Sequence, residues 1–276
     1  MTAIALPLPS PRSILDEFLD RQRTLAIYGF ATLALALAAV LLQALDPRLL
    51  ASGVNVWLKP AKFLSSVAVF ALTIAWFFGY VRPEQRRSLL MRGTVALLLL
   101  SGTFELAWIT WQGANGLESH FNFDTLFYRR MFNLMGVFAV LLAGTALPLA
   151  WEIARRPAAG LSRDFVAAVV IGLLLTFFLG ASFGGVIAAN GGHSVGVQGG
   201  GVPIFGWNRS GGDLRIAHFM GIHAQQAIPL LAALAAATSL AAGRRWAILL
   251  GGAVLYVAAT VALLLQALAG RALFPL

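Results

Sequence analysis

The sequence predicts an all-α fold, an integral membrane bundle of about seven transmembrane helices forming a single domain over residues 1–276. Hydrophobic residues make up 59% and charged residues 11% of the chain, whereas charged residues approach about a quarter of a soluble protein. The apolar residues collect in runs long enough to cross a bilayer, which takes roughly 20 residues. The connectors between these runs are mostly short and leave no room for a soluble domain.

The first 24 residues precede the apolar runs and do not resemble a removable signal peptide. They lack an apolar core followed by a small-residue cleavage site. Their charged residues include Asp16, Glu17, Asp20, Arg21 and Arg23. We expect residues 1–24 to be a cytoplasmic segment in which Ser13 to Arg23 form an amphipathic helix on the membrane surface.

Seven apolar runs follow, each long enough to cross the hydrocarbon with some tilt. They are Leu25–Leu45, Trp57–Tyr80, Leu89–Trp111, Phe127–Trp151, Phe165–Ala189, Leu214–Leu240 and Trp246–Leu268. We expect Pro148 and Pro229 to kink the fourth and sixth helices, as prolines commonly do in spanning helices. The runs show no matched pair of interrupted helices, which an inverted-repeat transporter would be expected to have.

The basic residues predict the orientation of the bundle. Three connectors carry most of the loop arginines, namely Arg82, Arg86, Arg87, Arg155, Arg156, Arg163, Arg244 and Arg245. The positive-inside rule places these connectors in the cytoplasm, so the N-terminus is cytoplasmic and the C-terminus outside. The predicted location is the bacterial inner membrane, with the lipid bilayer as partner. Because the net charge of +9 resides in such loops, we expect no nucleic-acid partner.

Three connectors then share the outer face, around residues 46–56, 113–126 and 190–213. The third contains nine glycines, which permit unusual backbone angles and close approach. We expect it to be an ordered lid over an outward-facing pocket, with a flexible tether as the alternative; Phe205 and Trp207 favour the lid. It has no phosphate-loop pattern, so no nucleotide is expected.

Histidines on this outer side are the predicted metal ligands. Because the chain has no cysteine, a metal must be held by histidine, carboxylate or amide oxygen. We assign His120, His193 and His218 to zinc or non-haem iron, which such ligands suit. Haem is less favoured, because the histidines within the membrane all lie on the sixth helix and a second axial ligand must come from elsewhere.

Glu105, Asp213 and His223 are the predicted catalytic residues. A buried carboxyl such as Glu105 must be protonated or paired, and it lies on one helical stripe with Trp108 and Gln112. His218 and His223 are separated by a rotation of about 140° and so cannot together bind one ion unaided. The predicted substrate-binding residues on the same side are Lys59, Lys62, Gln112, Arg129, Arg130, Arg215 and Gln226.

Four stretches carry a resemblance to a known group of proteins. They are VNVWLKPAKFLSS at 54–66, ELAWITWQGANGLESHFN at 105–122, GGHSVGV at 191–197 and GGDLRIAHFMGIHAQQ at 211–226. In these the chain resembles a family of uncharacterised bacterial polytopic membrane proteins with seven helices. The resemblance implies the fold but supplies no activity. Retinal proteins fit less well, since the last run lacks a lysine, and so do ceramidase-like and adiponectin-receptor-like hydrolases, since it lacks an HxxxH pair.

The favoured functional hypothesis is a metal-dependent membrane enzyme that acts on a lipid- or quinone-like substrate entering from the outer leaflet. A haem or electron-transfer protein is the first alternative. The second is a proton-coupled transporter that uses Glu105, His218 and His223 as a proton path, and a structural membrane subunit stays open beside it. The oligomeric state is not predicted.

Overall fold

Helices make up nearly all of the regular structure in residues 11–203 and 205–275, the part of the chain that the computed structural model describes. The helices are α1 (Pro11–Leu45), α2 (Leu58–Phe78), α3 (Leu89–Ala114), α4 (Leu126–Gly144), α5 (Ala146–Arg155), α6 (Arg163–Ala189), α7 (Leu214–Ile222), α8 (Ala224–Ala236) and α9 (Ala242–Leu268). Two short strands, β1 (Ser194–Val195) and β2 (Gly212–Asp213), pair antiparallel. The predicted all-α class is confirmed. Residues 1–10 of the predicted N-terminal segment lie outside the described residues.

Six helices of the described chain are long and apolar enough to cross a membrane. They are Ile14–Leu45, Leu58–Phe78, Leu89–Ala114, Leu126–Arg155, Arg163–Ala189 and Ala242–Leu268. The pair α7 and α8 qualifies as a further span only if both helices are counted together, and it is bent by 54°. These long apolar helices are consistent with a multi-pass membrane protein.

The described chain divides into two compact units, unit 1 up to Ala159 and unit 2 from Gly160 onward. The single domain over residues 1–276 stays a prediction. In unit 1, α1 packs along α2 through small side chains, which let the helices approach closely. The core of this contact consists of Ala36, Ala39, Ala61, Leu64, Val67 and Leu106.

The first part of α1 is set off from the rest by Gln22, whose φ of −156° and ψ of 91° interrupt the helix. The Gln22 side chain accepts hydrogen bonds from the amides of Thr24 (2.8 Å) and Leu25 (3.2 Å), which caps the longer second part. Arg21 donates to the Trp76 carbonyl (2.9 Å) and lies 4.0 Å from the Trp76 ring centroid. The short first part is therefore fastened to the C-terminal end of α2.

Two arginine-rich connectors, 79–88 and 152–159, meet at that same end of unit 1. The amide of Arg82 donates to the carbonyl of Arg156 at 3.0 Å. We call these connectors together with Arg21 the arginine end. The basic residues at this end belong to segments that the positive-inside rule predicts to be cytoplasmic.

In unit 2, α6 presents a row of small side chains to α7 and α8. This glycine row consists of Gly172, Thr176, Gly180 and Gly184, four residues apart. A Cβ added at Gly172 would lie 3.0 Å from the Ala224 carbonyl oxygen, and one at Gly180 would lie 2.9 Å from Ile222. The helices therefore touch nearly backbone to backbone, as small residues allow in membrane helices.

Helix α9 completes the packing of unit 2. Asp164 at the start of α6 and Arg245 at the start of α9 form an ion pair at 2.8 Å. The apolar core between these helices and α8 consists of Ala168, Ile228, Ala232, Leu249 and Ala253. The ion pair fixes one end of unit 2 and leaves the glycine-rich loop at the other.

Candidate functional site

The connectors 46–57 and 113–126 meet at the end of unit 1 where α2 begins, which we call the His120 end. Arg48 binds the Asp46 carboxylate at 2.6 Å and donates to the Ala114 carbonyl at 3.0 Å. The hydrogen bond from Arg48 holds the pKa of Asp46 below its ordinary value. Two of the three connectors predicted to share a face therefore do lie together.

The segment that carries His120 is fastened to α3 by main-chain contacts. Trp108 donates through its indole nitrogen to the carbonyl of Ser119 at 3.0 Å. Gln112 donates to the carbonyl of Glu118 at 3.4 Å. Gln112, a predicted substrate-binding residue, thus orients the loop that delivers His120 to the site.

Aromatic rings surround His120 in its partly buried position. The ring centroids of Phe63, Phe121 and Phe132 lie 5.9, 6.4 and 6.4 Å from that of His120. Phe121 has a φ of 58°, a conformation that non-glycine residues rarely adopt and that is concentrated at functional sites. Burial, and then the charge of Lys59, lowers the pKa of His120 to about 3. The imidazole is therefore neutral at neutral pH.

Glu105, on α3, is a buried carboxyl group at the His120 end. It is 3% exposed, and its Oε1 has no hydrogen-bond partner among the residues described. Lys59 acts electrostatically on both Glu105 and His120, so the three predicted residues share one environment. An unpaired buried carboxyl oxygen costs free energy unless a proton or a ligand satisfies it. Lys62, one turn further along α2, is half-buried.

An open cavity of about 370 Å³ adjoins this group of residues. Its lining consists of Phe123, Arg129, Phe132 and Asn133. Phe132 contacts the cavity and the His120 ring, so the two are neighbours. Arg129 and Arg130 are both exposed. Arg129 donates to the Phe123 carbonyl at 3.2 Å and lines the cavity, whereas Arg130 is not part of the lining.

In unit 2, Asp213 has its carboxylate fully engaged. It caps α7 by accepting from the Arg215 amide (3.0 Å), and it accepts from the Arg215 side chain at 2.9 and 2.6 Å. The amide of Asn208 adds a bond of 2.8 Å. Burial alone would raise the pKa of Asp213, but Arg215 and these hydrogen bonds hold it below its ordinary value. Both residues therefore organise the loop, whatever further role was predicted for them.

The glycine-rich loop 190–213 is folded against α7 and the C-terminal segment. Trp207 stacks on Phe205 (4.4 Å between centroids) and on Phe274 (6.2 Å), and it lies 5.8 Å from Phe219 of α7. The aromatic side chains of the loop therefore pack against α7 and the C-terminal segment. Whether the loop covers a pocket stays a prediction.

His193 belongs to this folded loop, where its carbonyl accepts from the Leu214 amide at 2.8 Å. The bond adds to the β1–β2 pairing, in which Ser194 lies opposite Asp213. His193 is therefore fixed beside the start of α7, in the same unit as His218.

The two histidines of the sixth apolar run lie in different surroundings. The His218 ring packs against Gly184, where an added Cβ would be 3.3 Å away, and its Nδ1 is buried without a partner in the described chain. His223 lies between α7 and α8, with Nδ1 3.3 Å from the Gln226 side-chain oxygen and its ring 4.3 Å from that of Phe219. The two rings therefore have different neighbours, and the prediction that they lie on different faces of one helix stays a prediction.

The metal ligands assigned from the sequence stay a prediction. In residues 11–203 and 205–275, no group of three or more histidine, aspartate or glutamate side chains is placed to hold a metal ion. His120 belongs to unit 1, whereas His193 and His218 belong to unit 2.

Several residues of these surroundings were not anticipated. Phe121 and Phe132 around His120 lie in a stretch rich in phenylalanine, which offers no distinguishing signal. Thr176 of the glycine row could have been found, because the spacing of four residues is visible in the sequence and marks close helix packing. Comparison of the chain with protein-family models, with curated proteins and with solved structures gives no significant match.

Proposed function

We propose that this chain is a seven-span protein of the bacterial inner membrane whose His120 end binds a lipid- or quinone-like molecule, with Glu105 hydrogen-bonding the polar head of that molecule. The single observation that carries the proposal is the buried Glu105 carboxyl with an unpartnered oxygen. Buried ionisable groups in membrane helices are costly and are commonly functional.

The proposed topology rests on charge. The arginine end of unit 1 gathers the basic connectors, which the positive-inside rule assigns to the cytoplasm. The His120 end then belongs to the outer leaflet, the N-terminus is cytoplasmic, and the bent pair α7 and α8 counts as the sixth of seven spans. The C-terminus lies outside.

The chemistry of the His120 end favours a ligand with an apolar body and a polar head. The cavity of about 370 Å³ is open on one side and can receive the head of a molecule that approaches from the bilayer. Phe123 and Phe132 offer aromatic surface to a ring or chain, and Arg129 offers hydrogen bonds to a carbonyl or phosphate oxygen. A molecule dissolved in the bilayer can approach α4, most of whose side chains are exposed.

Within this site the polar side chains can hydrogen-bond the head of the ligand. A protonated Glu105 donates through its hydroxyl, and an ionised Glu105 accepts through either oxygen. Neutral His120 can donate from one ring nitrogen and accept at the other. Zinc or non-haem iron bound by the predicted ligands His120, His193 and His218 would supply a Lewis acid, and this remains the metal-dependent form of the proposal.

Ligand binding is tested on purified protein in detergent. Quenching of tryptophan fluorescence by a short-chain quinone reports binding near Trp108, and phospholipid competition distinguishes the two ligand sources. We expect saturable quenching whose affinity depends on pH, and loss of that pH dependence in Glu105→Gln. The matched control is Glu118→Gln, a carboxylate at the same end that hydrogen-bonds Ser52 at 2.8 Å.

The outcomes separate the alternatives. Absence of saturable quenching, together with no quinone or bound lipid in an organic extract of the protein, overturns the proposal. Metal analysis and a visible spectrum of the same preparation address the cofactors: stoichiometric zinc or iron supports the metal-dependent enzyme, and a Soret band supports haem.

A further inference from the structure

Arg129 lies in the wall of the cavity at the His120 end with its guanidinium only partly engaged. Its Nε donates to the Phe123 carbonyl at 3.2 Å, which orients the group toward the cavity that both residues line. None of the ion pairs within the described residues includes Arg129. The terminal nitrogens of an arginine held in this way form a planar fork of donors, the arrangement that binds phosphate oxygens in pairs.

A second polar side chain of the same wall lies one turn further along α4. Asn133 follows Arg129 by four residues, the spacing that puts two side chains on one face of a helix, and both line the cavity. Asn133 is eight residues beyond the N-cap Thr125, about 12 Å along the helix axis. Because α4 belongs to a helix apolar enough to span a membrane, an exposed amide at that depth is costly unless a polar group reaches it.

The rest of the cavity wall is aromatic and is held by ring contacts. The ring centroid of Phe132 lies 5.3 Å from that of Phe123 and 5.0 Å from that of Phe121. Phe123 and Phe132 both line the cavity, beside Arg129 and Asn133. The cavity therefore offers apolar surface next to a cation and an amide, which matches an amphiphilic molecule better than a dissolved ion.

The charge of the cavity wall distinguishes a lipid with an anionic head from a quinone. The lining contains one cation, Arg129, and no acidic side chain among the described residues. Asp46, an acidic residue of a neighbouring connector, is already bound by Arg48 at 2.6 Å. A neutral quinone leaves the charge of Arg129 without a counter-ion, whereas a phosphate supplies one and makes charge-assisted hydrogen bonds, which are the stronger kind.

We infer that the molecule bound at the His120 end is a lipid whose head carries a phosphate, held by the Arg129 guanidinium and the Asn133 amide. This inference rests on the proposed function, because it names the class of ligand for the same site. The phosphate oxygens accept hydrogen bonds from both side chains, and a protonated Glu105 can donate to the same head. The chain of the lipid leaves the cavity along α4, most of whose side chains are exposed.

The test compares two short-chain lipids that differ only in the phosphate, dihexanoyl phosphatidic acid and dihexanoylglycerol, on purified protein in an uncharged detergent. Each lipid is titrated against the tryptophan fluorescence that a bound short-chain quinone quenches. We expect phosphatidic acid to displace the quinone at a concentration roughly tenfold lower, because the phosphate adds charge-assisted hydrogen bonds. Equal concentrations overturn the inference and leave the proposed function standing.

Two adjacent arginines provide matched variants. We expect Arg129→Gln to remove the preference for phosphatidic acid, and Arg130→Gln, which removes the same charge from outside the lining, to retain it. Loss of the preference in both variants would indicate attraction by the general charge of the helix end and would overturn the assignment to the cavity. If Arg129→Gln does not fold, Asn133→Leu takes its place, and an unchanged preference in that variant counts against the site.

Two further measurements separate the sources of phosphate and the two proposals. Inorganic phosphate at the same concentrations should leave the quinone bound, and displacement by it would overturn the assignment of a lipid. The thermal unfolding midpoint with each lipid alone reports binding directly, and we expect a larger rise with phosphatidic acid than with dihexanoylglycerol. Failure of the proposed function is recognised by a different result, in which neither the quinone nor either lipid changes the fluorescence or the midpoint.

Discussion

Thr176 Oγ1 accepts the amide of Gln225 at 2.9 Å, so a side chain of α6 replaces a main-chain bond inside the sixth apolar run. The same hydroxyl lies 3.5 Å from the carbonyl of Ile222, on the other side of the break. One side chain thus contacts the last residue of α7 and an early residue of α8. The bend is therefore specified by packing between helices and does not require a proline at the break.

Replacing Thr176 by valine keeps the volume and removes the hydroxyl. The amide of Gln225 then has no partner, which costs about 1–3 kcal/mol for a buried donor. We expect Thr176→Val to lower the unfolding midpoint and to accelerate hydrogen exchange in the segment around residues 222–228. Thr176→Ser restores the hydroxyl and should behave nearly as the unmodified chain. Equal exchange in all three proteins would show that the hydroxyl does not hold the break.

The glycine row offers a matched pair of substitutions on one helix. A Cβ at Gly172 meets main-chain oxygen and Cα atoms at 3.0 and 3.1 Å, whereas nothing lies within 4 Å of a Cβ at Gly185. Main-chain atoms cannot move aside easily, so we expect Gly172→Ala to cost about 1–3 kcal/mol. Gly185→Ala should be neutral or should gain up to about 1 kcal/mol from helix propensity. Thermal unfolding in detergent measures both, and equal effects would contradict the close packing.

The long helices could be predicted from the sequence, whereas the positions of the breaks between them could not all be predicted. Runs such as Leu89–Trp111 and Phe165–Ala189 match α3 and α6 closely, because their apolar character persists over a full membrane span. We expected kinks at Pro148 and Pro229. The break at Thr145 lies three residues before Pro148, within the turn that a proline disturbs, whereas the break at His223 lies six residues before Pro229. A proline removes one hydrogen bond, whereas the position of the break also depends on hydroxyls of other helices, which a single run does not show.

Some features of the candidate site could likewise be predicted from the sequence, and others could not. Topology and helical spacing were enough to predict that Glu105 and His120 lie at one end, where Lys59 acts on both. They could not show that Arg215 satisfies Asp213. That contact depends on the bend of the chain at the start of α7. There Asp213 is the N-cap residue, and the Arg215 side chain turns back to hydrogen-bond its carboxylate.

Asp213 gives a stability prediction that is independent of any activity. Its side chain is fully buried at 0% exposure against 30% for Arg215, and removing one member of such a pair leaves an uncompensated charge. We expect Asp213→Asn to cost about 3 kcal/mol and to make Arg209 in the glycine-rich loop sensitive to trypsin. The control is Asp124→Asn, an exposed carboxylate of another connector. Unchanged cleavage in Asp213→Asn would mean that the pair does not hold the loop.

His120 gives a prediction about pH. Burial and Lys59 lower its pKa from 6.5 to about 3 in the folded chain, so the folded state keeps the ring neutral while the unfolded state takes up a proton below its ordinary pKa. The unfolded state therefore binds more protons between these two values, and the stability contributed by His120 falls as the pH falls from 6.5 toward 3.

The size of this effect is bounded by the linkage relation. One full proton corresponds to about 1.4 kcal/mol per pH unit, and a ring whose pKa falls from 6.5 to about 3 contributes about 2 kcal/mol in total between pH 7 and pH 5. Because other groups titrate in this range, the measurement is a difference: denaturation of the unmodified chain and of His120→Gln at several pH values. We expect the two stability curves to converge on acidification, since the variant lacks the titrating ring. Parallel curves would mean that His120 binds a proton as readily in the folded chain as in the unfolded one. That result would contradict a neutral imidazole in the site proposed around Glu105.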